Sequence, residues 1–284
     1  MKKAPLLVIS LSYECVLDFY LHLYESVKNT MNDVLVVILR KIGSNLNSAN
    51  ILIESKHYNE ANIILRSAIE SCVIFCYLIQ NPNEIDTYLN DSQMLRFKNS
   101  IIDYKNIIRE KDNPKMADIY QIYDIKTVQK SLEDIFKQLT PKNQEIILKK
   151  IKKETFCFNE ENFKILDKYF KHWKPDFMKL EDMYLKISKL PITLFELRNF
   201  LYSLYNSFSQ TAHGDYISWI NINRDERERI TNMHGAIKRI IYTLTTVIQD
   251  NGFFLNPNNV KEISIILESM SDDLEKYFKT TKIN

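Results

Sequence analysis

The chain has 284 residues, of which 45% are apolar and 26% charged, and its formal net charge is +2. This length allows one large domain or two small ones, and the small charge argues against a general basic coat for nucleic acid without excluding a local basic patch. Only four glycines and seven prolines punctuate the chain, so long helices are predicted, and no segment alternates as a strand would.

The N-terminal segment and the cysteines bear on the compartment. A first, amphipathic helix is predicted over residues 5–28, where Glu14 and Asp18 interrupt an apolar run that is too short and too charged to span a bilayer. The four cysteines lack zinc-ligand spacing, and Cys72 and Cys76, one turn apart, are expected to be buried and reduced. We therefore expect a cytoplasmic protein without a membrane segment, a metal or a cofactor.

A second helix is predicted over residues 34–55, and a central helix follows from Tyr58 to Gln80. Apolar residues recur in the central helix at helical spacing, and from Ser71 onward they occupy almost every direction, which is typical of a helix covered on all sides. Arg66 and Glu70 are four residues apart and share one face. They are predicted either to form an internal ion pair that fixes the helix register or to line a polar pocket beside the core.

A fourth helix, residues 84–111, precedes a segment of different character. Residues 115–174 are rich in lysine and less densely apolar, and Thr140 with Pro141 predicts a helix start within them. Six aromatic residues cluster there at irregular spacing: Phe156, Phe158, Phe163, Tyr169, Phe170 and Trp173. We predict a helical insertion or lid within a single domain of residues 1–284. Its surface is interpreted either as a binding site for single-stranded nucleic acid or as a solvated basic face over an aromatic mini-core.

A second informative helix ends in the sequence SQTAHG, residues 209–214. Opposite its apolar stripe, polar residues fall within roughly 40° of one line: Arg198, Tyr202, Tyr205, Ser209 and His213. Gly214 ends the helix, so the helix dipole favours the protonated form of His213. Helices over residues 224–249 and 260–279 complete the prediction.

These residue types suit a metal-independent ribonuclease. Histidine supplies an acid or base of near-neutral pKa, and arginine stabilises the charge of a pentavalent phosphorane. The catalytic candidates are Arg66, Glu70, Ser209 and His213, and the substrate-binding candidates are Arg198, Tyr202 and Tyr205. The hypothesis requires the two helices to face each other across a polar cleft.

The sequence RSAIE at Arg66–Glu70 and the later SQTAHG resemble an uncharacterised bacterial domain family with an Arg-x-x-x-Glu helix and a Ser-x-x-x-His-Gly helix end. That pattern is similar to the HEPN superfamily (higher eukaryote and prokaryote nucleotide-binding domains). The resemblance covers about residues 55–110 and 190–250. It implies an all-α, HEPN-like helical bundle that is often a homodimer. The superfamily includes many RNA-cleaving toxins and phage-defence effectors.

The chain departs from the HEPN pattern at one point. HEPN ribonucleases carry arginine and histidine about four to six residues apart on one helix, and no arginine precedes His213 at that distance. Either Arg66 supplies the charge from the other helix, or the site is inactive. Arg229 and His234 match the spacing formally, but an ordinary solvated helix turn that follows the charged run RDERER, residues 224–229, is the simpler interpretation.

We therefore expect an RNA-targeting effector of the toxin or phage-defence type, with ribonuclease activity as its most specific form. The alternative is a non-catalytic helical module that binds a protein partner or senses a ligand in a defence or toxin–antitoxin system. The expected partners are RNA, a protein encoded alongside the chain and a second copy of it.

Overall fold

The computed structural model describes residues 23–24, 27, 29–110, 125–187 and 226–253. Within these ranges the chain is mostly helical and contains no strand, which confirms the all-α prediction. The chain divides into two compact units, residues 1–82 with 179–284 and residues 83–178. Most of the predicted first helix, the helix ending at His213 and the last helix lie outside the described residues. The HEPN-like form and the single domain with its insertion at 115–174 stay predictions.

The described residues form eight α-helices. They are α1 (Asp33–Glu54), α2 (Tyr58–Gln80), α3 (Ile85–Glu110), α4 (Ile125–Lys137), α5 (Pro141–Ile151), α6 (Glu160–His172), α7 (Leu180–Lys186) and α8 (Glu226–Asp250). A short 3-10 turn, Pro82–Glu84, separates α2 from α3. The central helix α2 has the bounds that the sequence predicts.

The helix starts follow local hydrogen bonding. Thr140 caps α5 as predicted, because its hydroxyl accepts from the Asn143 amide and Pro141 follows it. The N-cap of α1 is Asn32, whose side chain accepts from the Val34 amide at 2.9 Å. The helix starts one residue before its predicted start, at Asp33, whose charge complements the helix dipole.

Helix α2 forms the core of the first unit. Helices α1, α7 and α8 all pack against it, and Leu65, Phe75 and Leu78 are fully buried. By length and composition alone α2 could cross a bilayer, but 61% of its most apolar window is buried inside the protein. That degree of burial is typical of the core helix of a soluble protein, so the predicted central helix is confirmed.

An aromatic core holds the second unit together. The Phe97 ring on α3 lies 5.9 Å from Phe156 and 5.9 Å from Phe170, both edge-on. The capping residue of α5 is tied to α3, since the Thr140 amide donates to Gln93 Oε1 and its hydroxyl donates to Asn90 Oδ1, both at 2.6 Å. The predicted aromatic mini-core is therefore present, and it includes α3 as well as residues 125–174.

Candidate functional site

The first candidate residues to be placed are Arg66 and Glu70, at the middle of α2. Arg66 Nε donates to Glu70 Oε1 at 3.1 Å, and their side chains are 20% and 35% exposed. The pair is therefore neither sealed in the core nor freely solvated. Because Glu70 accepts from Nε, it orients the plane of the guanidinium, a group whose planar set of N–H donors matches carboxylates and phosphates.

Asn62 extends this polar face by one turn, since it lies four residues before Arg66. Its Oδ1 is buried and has no hydrogen-bond partner among the described residues. A buried acceptor without a donor costs about 1–3 kcal/mol, and the Oδ1 atoms of Asn50 and Asn162 are in the same situation. Our sequence reasoning missed Asn62, although its spacing to Arg66 is a signal that could have found it.

A contact beside the pair fixes how α2 is rotated. Asn45 Nδ2 on α1 donates to the Ser67 hydroxyl at 3.2 Å, and the next residues on the buried side, Ala68 and Ile69, are fully buried. The apolar side of α2 is therefore held in the core. The face with Asn62, Arg66 and Glu70 consequently has a fixed orientation in this unit.

The remaining predicted site residues lie outside the described residues. They are Arg198, Tyr202, Tyr205, Ser209 and His213. The structure thus brings together the Arg66–Glu70 half of the predicted site, and the other half stays a prediction.

His234, in the formal Arg229–His234 match, is a core residue. It is 2% exposed, and burial lowers its pKa to about 4. A buried, neutral imidazole is not a general acid at neutral pH. The expectation of a solvated helix turn is therefore wrong for His234, and its position argues against a catalytic role for this match.

The cysteines and acidic side chains are further candidates for reactive or metal-binding groups. Cys72 and Cys76 are buried free thiols, as predicted, and the hydrogen bond with Cys76 and burial raise the pKa of Cys72 well above its ordinary value. Cys157 is an exposed free thiol. In the part of the chain that the structure describes, no group of three or more His, Cys, Asp or Glu side chains could hold a metal ion.

Comparison with known proteins shows which protein family the chain matches. A family model described as a family of unknown function (DUF5677) matches residues 32–230. The match covers more than half of the chain and includes both RSAIE and SQTAHG. Neither the curated proteins nor the solved structures give a match.

Proposed function

The chain belongs to the family of unknown function DUF5677, and we propose that it is an RNA-targeting effector of the toxin or phage-defence type. The observation that carries the proposal is the Arg66–Glu70 pair on the central helix, with side chains 20% and 35% exposed. Ion pairs at such depth add little net stability compared with apolar residues. Their presence on an otherwise apolar helix is better explained by an anionic ligand, and a phosphate matches the guanidinium best.

The polar face of α2 is suited to holding a phosphodiester. Glu70 orients the Arg66 guanidinium, which binds the phosphate and stabilises the charge that develops on the phosphorane. The neighbouring Asn62 adds a polar side chain to the same face, one turn before Arg66. This face thus presents a guanidinium oriented for the phosphate of a ribonucleotide.

The proposed reaction needs an acid–base group, and His213 supplies it. In its neutral form His213 takes the proton of the ribose 2′-hydroxyl, whose oxygen then attacks the adjacent phosphorus. The bond between phosphorus and the 5′-oxygen breaks, and the leaving oxygen takes the proton from the imidazolium of His213, so the products are a 2′,3′-cyclic phosphate and a 5′-hydroxyl. Ser209 and Tyr205 position His213 by hydrogen bonds, while Arg198 and Tyr202 contact the substrate. An HEPN-like, cytoplasmic, bacterial homodimer is part of the same proposal.

Expression in a bacterial host tests this function cheaply. The wild-type chain is expected to arrest growth and to degrade cellular RNA, and both His213→Ala and Arg66→Ala should relieve the arrest. Arg40→Ala is the matched control, because Arg40 is an exposed arginine on α1 and its loss should leave the toxicity unchanged. Growth without arrest and intact RNA, with any candidate trigger or partner present, would count against the proposal.

A second candidate function is a non-catalytic helical module that binds a protein partner. Val37 and Ile51, on one face of α1, are 65% and 54% exposed, and under this alternative a bound partner covers them. Val37→Ser with Ile51→Ser should then weaken capture of the protein encoded alongside the chain. Under this alternative, His213→Ala and Arg66→Ala should leave that capture unchanged.

A further inference from the structure

A second surface, within residues 83–178, combines half-buried aromatic rings with lysines. Lys150 Nζ on α5 lies 5.0 Å from the centre of the Tyr169 ring, and Lys98 Nζ on α3 lies 5.6 Å from the centre of the Trp173 ring. Tyr169 and Trp173 are one turn apart at the end of α6. We infer that this lysine–aromatic surface, defined by these four residues, binds single-stranded RNA without sequence preference.

The two rings are held rigidly from behind. Phe170, which is 2% exposed, lies 5.0 Å from Tyr169 and 6.1 Å from Trp173. It is itself packed against Phe97 in the core of the unit. Because the rings are anchored on one side and half-exposed on the other, a base can stack on them at little cost in conformational entropy.

The charge of this part of the chain suits a polyanion. Residues 141–174 contain nine lysines and five acidic residues, and three of those acids already pair with lysines, namely Glu145, Glu160 and Asp167. Further lysines of α5, α6 and the adjoining turns are exposed: Lys142, Lys152, Lys153, Lys168, Lys171 and Lys174. The excess of positive charge is therefore local, although the whole chain carries only +2.

The end of α5 carries a further sign of constraint. Lys152 has φ 56° and ψ 44°, a left-handed conformation that normally favours glycine. Together with Lys149 and Lys153 it lines an open groove of about 450 Å³, next in the chain to Lys150.

A stacked base would take the place of the ammonium group over each ring. The displaced ammonium groups of Lys150 and Lys98 can then contact the neighbouring phosphates, so the cation–π contacts are exchanged rather than lost. This inference rests on the proposed function in taking RNA as the ligand. It does not depend on the Arg66 face, because the four residues belong to the other compact unit.

Fluorescence anisotropy of the full chain with labelled 12-mers of uridine and deoxyuridine tests the inference. The deoxy oligonucleotide lacks the 2′-hydroxyl that the proposed cleavage uses, so binding is measured independently of cleavage. Tyr169→Leu and Trp173→Leu should each weaken binding by about tenfold, and Lys150→Ala should reduce the slope of log affinity against log salt by about 0.7. Lys137→Ala is the control, since this exposed lysine on α4 pairs with Asp134.

A second measurement guards against variants that fail to fold. In a Trp219→Phe background the remaining tryptophan is Trp173, and the deoxy oligonucleotide should quench its fluorescence. The inference would be overturned if the chain bound neither oligonucleotide. It would also be overturned if binding caused no quenching and Lys150→Ala and Lys137→Ala changed the affinity equally. Equal binding of polyglutamate without quenching would assign the surface to an acidic protein and overturn it too. If the chain bound the oligonucleotides as expected but cleaved no RNA, only the proposed function would be contradicted, and the RNA-binding surface would stand.

Discussion

Arg66 and Glu70 form a hydrogen-bonded ion pair across one turn of α2, with 3.1 Å between Nε and Oε1. Three other helices pack against α2, so the core of the unit fixes where the pair lies. Because Glu70 is about one-third exposed, water screens the pair and its direct contribution to stability is modest. What it provides is a guanidinium held in one plane.

Removing Arg66 alone is expected to destabilise the protein more than removing both partners. Arg66→Ala leaves the half-buried Glu70 without its donor and should lower the free energy of unfolding by about 1–2 kcal/mol. The double variant Arg66→Ala, Glu70→Ala should recover part of that loss, as urea unfolding would show. In the control, Lys164→Ala breaks an equally spaced pair whose side chains are 72% and 80% exposed, and no measurable loss of stability is expected because water screens this pair fully. Equal losses for Arg66→Ala and Lys164→Ala would contradict this interpretation.

Acid should lower the free energy of unfolding because the buried His234 must take up a proton. Its pKa is lowered by burial from 6.5 to about 4, so between these values the unfolded chain binds more protons than the folded one. The free energy of unfolding therefore has its full contribution from neutral His234 above pH 6.5. It loses about 3 kcal/mol of that contribution as the pH falls towards 4. The urea unfolding midpoint should depend less on pH across this range in His234→Leu than in the wild type. It should keep the wild-type pH dependence in His172→Gln, a variant of an exposed histidine. The same slope in His234→Leu and wild type would refute the assignment.

Thiol labelling should separate the described cysteines. In a Cys15→Ser background, Cys157 should react rapidly in the native state because it is exposed, whereas Cys72 and Cys76 are buried and should react only after unfolding. Mass spectrometry after brief exposure to iodoacetamide would count the modified thiols. Rapid modification of more than one thiol would show that α2 is not sealed in the core.

A homodimer is predicted in solution. The chain has 16 tyrosines and 15 phenylalanines, residue types enriched at interfaces, and Leu185 on α7 is 66% exposed. Light scattering at micromolar concentration should therefore give twice the mass of the chain. The mass of one chain at that concentration would exclude a stable dimer.

The sequence predicted the helices better than it predicted their faces. The bounds of α2 followed from its apolar repeat, and α8 ends at Asp250, one residue after its predicted end and shortly before Gly252, whose φ is 81°. On α3, however, the buried residues after Ile85 are Met94, Phe97, Ile101 and Tyr104, while Leu95, Ile102 and Ile108 are at least 38% exposed. Both sets repeat at helical spacing, and only the positions of α4, α5 and α6 decide which set is covered.

The candidate site was predictable where it depends on one helix. The spacing of Arg66 and Glu70 guarantees that they meet, and the structure confirms it. The burial of His234 depends on packing between segments that are far apart in sequence, so the acidic and basic run before it misled the interpretation. The same reason applies to Asn62, whose buried oxygen becomes visible only once α2 is placed in its unit.

Cleavage of end-labelled RNA by the purified protein in EDTA tests the central claim most directly. The wild type should release fragments with a 2′,3′-cyclic phosphate and a 5′-hydroxyl. His213→Ala should abolish cleavage with Tm nearly unchanged, and Arg66→Ala should lower both activity and stability. If the wild type cuts no RNA with any trigger and His213→Ala unfolds the protein, His213 and its helix are structural, and the RNA-cleaving account is contradicted.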